Sequence, residues 1–532
     1  MLKMESSENK EKNMRPELSE LIQRLALGLD ENRPEVVEKR MKKNQRTARQ
    51  NVNDLCDKDS FIEYGALNIA AQQKRRSFED LIKNTPTDGL ITGIGTVNGS
   101  MFDEQISRCM VMSYDYTVLA GTQGFFNHKK MDRMLKLTTE QRLPLIFFAE
   151  GGGGRPGDTD AAGVVMTGLD LSTFARFGGL SGKVPMVGIV SGYCFAGNAA
   201  LLGCCDVIIA TENSNIGMGG PVMIEGGGLG TFRPEEIGPI DVQSENGVVD
   251  IVVSDEAQAV AVAKKYISYF QGPTTHWEAL DQHLLRDLIP ENRRRTYDVR
   301  RIVKTLSDKD AFLELRPGFG PGFITAFIRI AGNPFGVIAS NCQHMGGAIE
   351  ADDADKAARF MQLCNAHGLP ILSLIDTPGF MVGPEIEKLA QVRHVCRMFV
   401  IGSHVKVPYF SIVLRRAYGL GAMAMAKGGF HESFFTTSWP TGEYGGMGLE
   451  GAVRAGFKKE LEAVEDPKER EALFNKLVAK MYEKGKAINI AACMEIDSVI
   501  DPADTRKWIM RGLKSVPPSA KKGDDNLWVD AW

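Results

Sequence analysis

Nothing in the 532 residues announces a metal centre or a disulfide scaffold. Nine cysteines occur, none of them in a C-x-x-C pair, and Cys204 and Cys205 sit side by side in an apolar run. That usage fits reduced, mostly buried thiols in a cytosolic protein. The eight histidines fall at no metal-ligand spacing with cysteine, so no metal is expected. Long runs of one charge are missing too. The net charge is −4, and the basic stretches KKNQRTARQ and RRRTYDVRR are short and embedded in mixed-sign sequence. They read as solvated helix faces, which excludes a nucleic-acid footprint. The segment MLKMESSENKEKNMRPE has no apolar signal core and too many acids for a transit peptide. One charge-free run, Val184 to Cys205, reaches the ~20 residues that span a bilayer. Its composition changes midway, however, from VPMVGIV through SGYCFAG to NAALLGCC, the pattern of a buried strand, a turn and a helix start. No membrane span is expected, and the expected location is the cytoplasm.

What is present is a globular composition, 43% hydrophobic and 24% charged, in a chain long enough for two large domains or three smaller ones. Three pairs of segments repeat in the same order. LITGIGTVNGSMFDEQISRC from Leu90 answers FITAFIRIAGNPFGVIASNC from Phe323. LPLIFFAEGGGG from Leu143 answers LPILSLIDTPGF from Leu369. KVPMVGIVSGYCFAGNAAL from Lys183 answers KVPYFSIVLRRAYGLGAMAM from Lys406. The offsets of 233, 226 and 223 residues drift by only ten, so the chain reads as two copies of one fold, with a period far too long for a solenoid. Each copy runs through paired strands, a helix (His128 to Thr139; Ala354 to His367), a strand ending in glycine, a longer helix, another strand and a Gly-rich turn that opens a helix. Strands alternating with helices predict α/β architecture. The expected divisions are a helical lead-in over 1–60, a first domain over 61–290 and a second over 291–532, with the Pro-bearing, charged stretch 271–298 as the join.

Each copy carries two glycine-marked backbone sites. In the first they are Gly152, Gly153 and Gly154 after a strand, and Ala196 and Gly197 before a helix. In the second they are Pro378, Gly379 and Phe380, and later Gly421 and Ala422. Glycine lets a main chain approach a ligand closely, and the first N–H groups of a helix lack internal partners. Two such groups converging on one point make an oxyanion hole, a device worth ~3–4 kcal/mol per donor. Arg155 and Glu150 read as partners of each other or of solvent.

The set GGGR (152–155), GYCFAGNAAL (192–201), YDVR (297–300), DKAARFMQLCNAHGLPILSLIDTPGF (355–380), RRAYGLGAMAMA (415–426), WPTGEYGGMG (439–448) and IDSVIDPADTRK (496–507) resembles the carboxyltransferase (beta) subunit of biotin-dependent acyl-CoA carboxylases, of the propionyl-CoA and methylcrotonyl-CoA type. The resemblance extends from about Arg40 to about Arg511. It implies two tandem crotonase-like domains from an internal duplication, with an active site formed by the first copy of one subunit and the second copy of its partner. Carboxyl transfer from carboxybiotin on a carrier protein to the α-carbon of an acyl-CoA is the implied reaction. The amides of Gly152, Gly153, Gly154 and Gly197 would hold the thioester oxygen, and those of Gly379, Gly421 and Ala422 the ureido oxygen of biotin, with Arg155, Ala196, Phe380, Tyr418 and Ala424 binding the substrates. Because the ureido nitrogen can itself take the α-proton, no side-chain base is required. His344 and His394 fall nearest the second-copy motifs and read as structural.

Departures from the family pattern carry their own expectations. Ser-Gly-Gly-Ala-Arg is replaced by Gly151-Gly152-Gly153-Gly154-Arg155, which predicts a more flexible loop, and RRAYGLGAMAMA is longer by one residue than in many members. Ala424 would shape the acyl pocket, and its small size predicts room for a larger acyl group. No Ala-Met-Lys-Met biotinylation site, no ATP-binding half and no four-cysteine zinc ribbon is seen, so a separate biotin carboxylase and biotin carrier, or one subunit fusing both, are the expected partners, together with a homo-oligomer, which the resemblance implies is a ring of six built from dimers. Within the fold, a sodium-pumping type of biotin-dependent decarboxylase, a crotonase-type hydratase or hydrolase and a non-catalytic scaffold are the alternatives. From another class comes a GTP-binding switch protein, suggested by DTPGF at 376–380 but lacking a proper phosphate loop: FGGLSGKVP (177–185) has Phe177 and Val184 where Gly and Ser or Thr belong.

Overall fold

The computed structural model describes residues 14–160, 169–517 and 527–532; residues 1–13 of the expected lead-in lie outside the described part. Helices α1 (Pro16–Ala26), α2 (Pro34–Met41) and α3 (Ala48–Leu55) form that lead-in. Thr47 starts α3 with a reciprocal cap, its hydroxyl accepting from the Gln50 amide while Gln50 accepts from the Thr47 amide.

The chain divides into two compact units, one running to Gln243 and including Val252–Ile267, the other Ser244–Ile251 with Ser268–Trp532. The division therefore falls ahead of the join expected near 290. Stretch 271–298 reads as a linker from its prolines and charges, but its polar groups are spent on the second unit: Thr274 donates its amide to Gly332 O at 3.0 Å, Gln282 Nε2 donates to Thr305 O at 2.8 Å, and Arg286 pairs with Asp501.

The first sheet has the order β1 (Ile62–Tyr64), β2 (Leu90–Thr96), β3 (Arg108–Tyr114), β4 (Leu145–Phe148), β5 (Met186–Val190), β7 (Val207–Thr211) and β9 (Ile251–Val253), with β6 (Tyr193–Phe195) paired to β8 (Asn215–Gly217) beside it. The second repeats that order through β10 (Leu313–Leu315), β11 (Phe323–Ile330), β12 (Asn333–Ser340), β13 (Ile371–Thr377), β14 (Tyr409–Tyr418), β15 (Phe435–Ser438) and β17 (Ser498–Val499), and β16 (Glu443–Gly445) pairs with the end of β14. In each sheet the first three strands are antiparallel and the next are parallel. Parallel strands are covered on both faces, which is why β4 (LIFF) and β13 (ILSLIDT) are buried along their whole length.

The crossover helices α4 (Phe125–Gln141) and α8 (Ala351–Ala366) each begin three residues ahead of the expected starts. Most of α8 is buried although its sequence, ADDADKAARFMQLCNA, is rich in charge. Its charges are matched individually: Asp353 accepts the Gly322 amide at 2.7 Å, and Asp355 receives Arg397 at 2.6 Å. The repeat extends to single hydrogen bonds. Gln123 N donates to Gly153 O and Arg155 N to Gln123 O; 226 residues later Ile349 N donates to Gly379 O and Met381 N to Ile349 O.

Candidate active site

Two of the four glycines after β4, Gly151 and Gly153, stand where other groups occupy the side-chain space. A Cβ on Gly151 would lie 2.3 Å from both Asn198 Nδ2 and Gly121 O, and one on Gly153, at φ +86°, would lie 2.6 Å from the Ala196 Cβ. At Gly154 a Cβ would meet nothing within 4 Å. The loop is therefore pressed against the start of helix α5 (Gly197–Leu202) on one side and open at Gly154. Ala196, which precedes that helix, takes φ 52° and ψ −122°, a conformation unfavourable for any residue with a Cβ. Its amide donates to Gly217 O at 3.0 Å, which holds it there.

Counting amides decides which groups are free to act. Gly152 N donates to Ala120 O at 3.1 Å, and Gly153 N donates to Asn198 Oδ1 at 3.0 Å. These two are thus not available as oxyanion donors, contrary to the sequence expectation. The amides of Gly154 and Gly197 find no acceptor among the described residues. Gly197 is the first residue of α5, where helical geometry leaves the N–H without an internal partner.

The second unit repeats the arrangement. Gly379, at φ +116°, donates its amide to Thr377 Oγ1 at 3.0 Å, so its role is conformational. Ala422 is the fourth residue of helix α10 (Gly419–Met425), and its N–H reaches the Tyr418 carbonyl within the helix. Neither is a free donor. Phe380 N has no acceptor among the described residues, and Gly421 N belongs to the unpaired first turn of α10. The two are neighbours: a Cβ on Gly421 would lie 2.7 Å from Gly379 Cα and 3.0 Å from Phe380 N. Gly154 and Phe380 hold matching positions, each bridged to the residue two before its crossover helix. Each unit therefore carries one strand-end amide, and beside it a helix start, whose amides have no internal partner among the described residues; two such donors, where they converge, can stabilise one developing negative oxygen.

Several expected side chains are placed otherwise. Arg155 does not meet Glu150; it pairs with Asp88 and donates to Thr122 O at 2.7 Å, while Glu150 receives both arms of Arg40 at 2.9 and 2.8 Å. Arg155 thus ties the glycine loop to Asp88 and Thr122, and Asp158 accepts the Phe125 amide at 2.8 Å. Tyr418 is buried and its hydroxyl donates to Glu443 at 2.7 Å, beneath α10 rather than toward a ligand. Ala424 is also fully buried, and the exposed side chains of α10 are Leu420 and Met423. His344 and His394 lie against Glu350 and Asp355 respectively, at 3.0 and 2.7 Å.

Burial and charge set the carboxylates of the two loops differently. Burial pushes Glu150 up to about 7 against the pull of Arg40. Burial also acts on Asp376, its counterpart 226 residues on, but the guanidinium groups of Arg416 and Arg415 hold that carboxyl below its ordinary value. Asp376 accepts from Arg416 Nε at 2.7 Å and Arg415 at 2.9 Å. That use of the DTPGF aspartate, together with a helix Thr173–Gly178 preceding and a strand following FGGLSGKVP, removes the nucleotide-switch alternative, because a phosphate loop runs from strand to helix.

Sequence reasoning missed Asn198 and Arg40. Asn198 binds Gly153 N through Oδ1 and donates Nδ2 to Gly121 O at 3.2 Å, joining loop to helix. Its signal was a polar residue in an otherwise small and apolar helix start. Arg40 had none, lying 110 positions from its partner. Among the described residues no group of three His, Cys, Asp or Glu could hold a metal ion, and no helix is long and apolar enough to cross a membrane.

The carboxyl transferase domain family matches residues 39–518. The chain is 30% identical to the methylmalonyl-CoA carboxyltransferase 12S subunit of Propionibacterium freudenreichii subsp. shermanii over 517 residues, 94% of this chain and 93% of that one. Transcarboxylase 12S, solved as a hexamer with methylmalonyl-coenzyme A bound, superposes with a TM-score of 0.80 at 29% identity, covering 98% of this chain and 99% of that one. A single-chain, multi-domain long-chain acyl-CoA carboxylase superposes with a TM-score of 0.89 at 56% identity; 94% of this chain is covered, and it spans about half, 49%, of that protein.

Proposed function

This chain belongs to the carboxyl transferase domain family, and from that premise we propose how its two amide pairs divide the work. The chain is an enzyme that transfers a carboxyl group to an acyl-CoA, as a component of a biotin-dependent carboxylase. Its two sheets are crotonase-like domains from one duplication. The thioester oxygen of the acyl-CoA sits on Gly154 N and Gly197 N, and the charge that gathers there as the α-proton leaves is stabilised by those two donors. Phe380 N and Gly421 N hold the second oxygen, the ureido oxygen of biotin. That site fits such a group: its two donors are unpaired, and the glycine packing at 379 and 421 leaves main chain alone at the contact. Biotin, carried by a separate protein, supplies the carboxyl group and a nitrogen able to accept the proton. This chain's residues position the two oxygens and need supply no base.

The observation that carries the reading is the recurrence, at matching places in two units, of an unpaired strand-end amide beside the unpaired first turn of a helix, while the neighbouring strand-end amides are bonded. The acyl group is a long chain, a substrate class suggested by the 56% identity to the long-chain acyl-CoA carboxylase. A homo-oligomer working with biotin carboxylase and carrier in the cytoplasm completes the proposal. The test is a panel of acyl-CoAs from acetyl to palmitoyl, incubated with purified carrier and carboxylase and labelled bicarbonate. Fixation of label into the long thioesters is the expected result; absence of label in every thioester refutes the reading.

A further inference from the structure

The two units lock their glycine loops with different side chains. In the first, Asn198 accepts the Gly153 amide at 3.0 Å and donates to Gly121 O at 3.2 Å. The matching positions 226 residues on are Gly379 and Gly347, and there helix α10 offers nothing equivalent, for its sequence GLGAMAM carries no polar side chain. A hydroxyl takes over both bonds. Thr377 Oγ1 accepts the Gly379 amide at 3.0 Å and donates to Gly347 O at 2.8 Å, with Gly379 O farther off at 3.3 Å. The exchange is also one of space: the first-unit residue matching Thr377 is Gly151, and a Cβ on Gly151 would lie 2.3 Å from Asn198 Nδ2. One unit thus pairs a bare strand end with a polar helix start, the other a polar strand end with a bare helix start.

A threonine that accepts the amide two residues ahead is ordinary turn chemistry. Its reach to Gly347, 30 positions back, is not, and Thr377 is fully buried. What these bonds fix is a direction. The peptide joining Gly379 to Phe380 is planar and trans, so with Gly379 O accepting the Ile349 amide at 3.0 Å, the Phe380 N–H points the opposite way, away from Ile349. Gly379 holds that peptide from φ +116°, and the Thr377 oxygen is the acceptor that keeps its own amide in place. We propose that Thr377 is a positioning residue for carboxyl transfer: its hydroxyl sets Gly379 and, through it, aims the Phe380 amide at the second oxygen. This rests on the proposed function, which places the ureido oxygen of biotin on Phe380 N and Gly421 N. Thr377 itself touches no substrate.

The experiment compares wild type with Thr377→Val, which keeps the shape and removes both bonds, and with Thr377→Ser, which keeps the hydroxyl. Three readouts are taken on the full chain: transfer kinetics with carrier and carboxylase present, acyl-CoA binding by equilibrium dialysis, and amide hydrogen exchange by mass spectrometry. For the Val variant kcat is expected to fall about tenfold to a hundredfold, the loss a displaced group brings, with acyl-CoA binding within about twofold. Exchange quickens at Gly379 and stays as it was at 151–155. The Ser variant restores both the rate and the protection. Wild-type kcat in the Val variant overturns the proposal, even where Gly379 exchanges faster, because the hydroxyl then serves the fold alone. So does a loss that the Ser variant shares, or one carried by acyl-CoA binding. Where the Val variant does not fold, Thr377→Cys, a weaker donor and acceptor, replaces it with a smaller loss in the same readouts. If wild type carboxylates nothing, the proposed function fails on its own account, and the exchange comparison still decides whether Thr377 sets the loop.

Discussion

Lys130 and Lys356 stand 226 residues apart in sequence and do the same thing. Each comes from a crossover helix and is buried, with its ammonium among three main-chain carbonyls: Gly65, Thr87 and Leu90 for Lys130 at 2.9, 3.2 and 2.5 Å, and Arg316, Gly320 and Phe323 for Lys356 at 2.7, 3.3 and 2.8 Å. An ammonium has three protons to give, one per carbonyl. The pair ties the start of the second strand of each sheet to the helix that carries the chain onward.

Replacing either lysine by methionine strands three buried acceptors. Each stranded acceptor costs about 1–3 kcal/mol, so a loss of about 3 kcal/mol or more is expected on urea unfolding. Burial lowers these amines, to about 8 for Lys130 and about 7 for Lys356. Both values lie below that of the unfolded chain, so between them the unfolded state binds more protons and wild-type stability rises as pH climbs from 7 to 10. The methionine variants lose part of that slope.

Asp376→Asn leaves Arg415 and Arg416 facing no charge in a buried site, and about 3–5 kcal/mol is expected to go. Because the folded carboxyl lies below its ordinary value, its contribution is complete above the unfolded pKa near ~3.9 and disappears as pH falls through the folded one. The variant's stability is therefore flatter than wild type's below pH 4. Glu150→Gln costs less at neutral pH, since that carboxyl is pushed up to about 7 and part of its population is already neutral there. Denaturation midpoints across pH 3 to 8 check both.

Gly154→Ala is tolerated, for the new methyl meets open space. Gly154→Pro removes the proposed donor, and kcat falls by about 10²–10³ with acyl-CoA affinity little changed. Gly421→Ala drives a methyl into Gly379 and Phe380 N, so transfer fails while dialysis still detects acyl-CoA binding. Steady-state rates of the three variants distinguish these outcomes.

Ala424→Ile is expected to act on folding, not on selectivity. The position is fully buried, and overpacking costs about 1–3 kcal/mol. Tyr418→Phe removes the hydrogen bond to Glu443 and lowers stability by about 1–2 kcal/mol with an unaltered ratio of long-chain to short-chain rates. A changed ratio in either variant would return these residues to the acyl pocket.

The repeat was legible because buried parallel strands and glycine turns leave strong local marks, and LPLIFF and LPILSLI coincide with β4 and β13. The glycines located both loops. Which amides remained free was not legible, since the partners that occupy Gly152 and Gly153, Ala120 O and Asn198, lie 32 and 45 positions away. Side-chain direction was equally hidden. Tyr418 and Ala424 fall inside the right motif, but Glu443 and the core claim their faces. Stretch 271–298 is mostly exposed, as its prolines and charges suggest, but its hydrogen bonds run to the second unit, which composition does not reveal.

One carboxamide, that of Asn198, grips the glycine loop with its oxygen and the backbone beside Gly121 with its nitrogen while standing in the first turn of α5. Loop and helix start are thus joined directly through one side chain, in addition to the ties that Arg155 and Gln123 make from the other side. In the proposed function, that carboxamide therefore joins the two backbone segments that would hold a thioester oxygen.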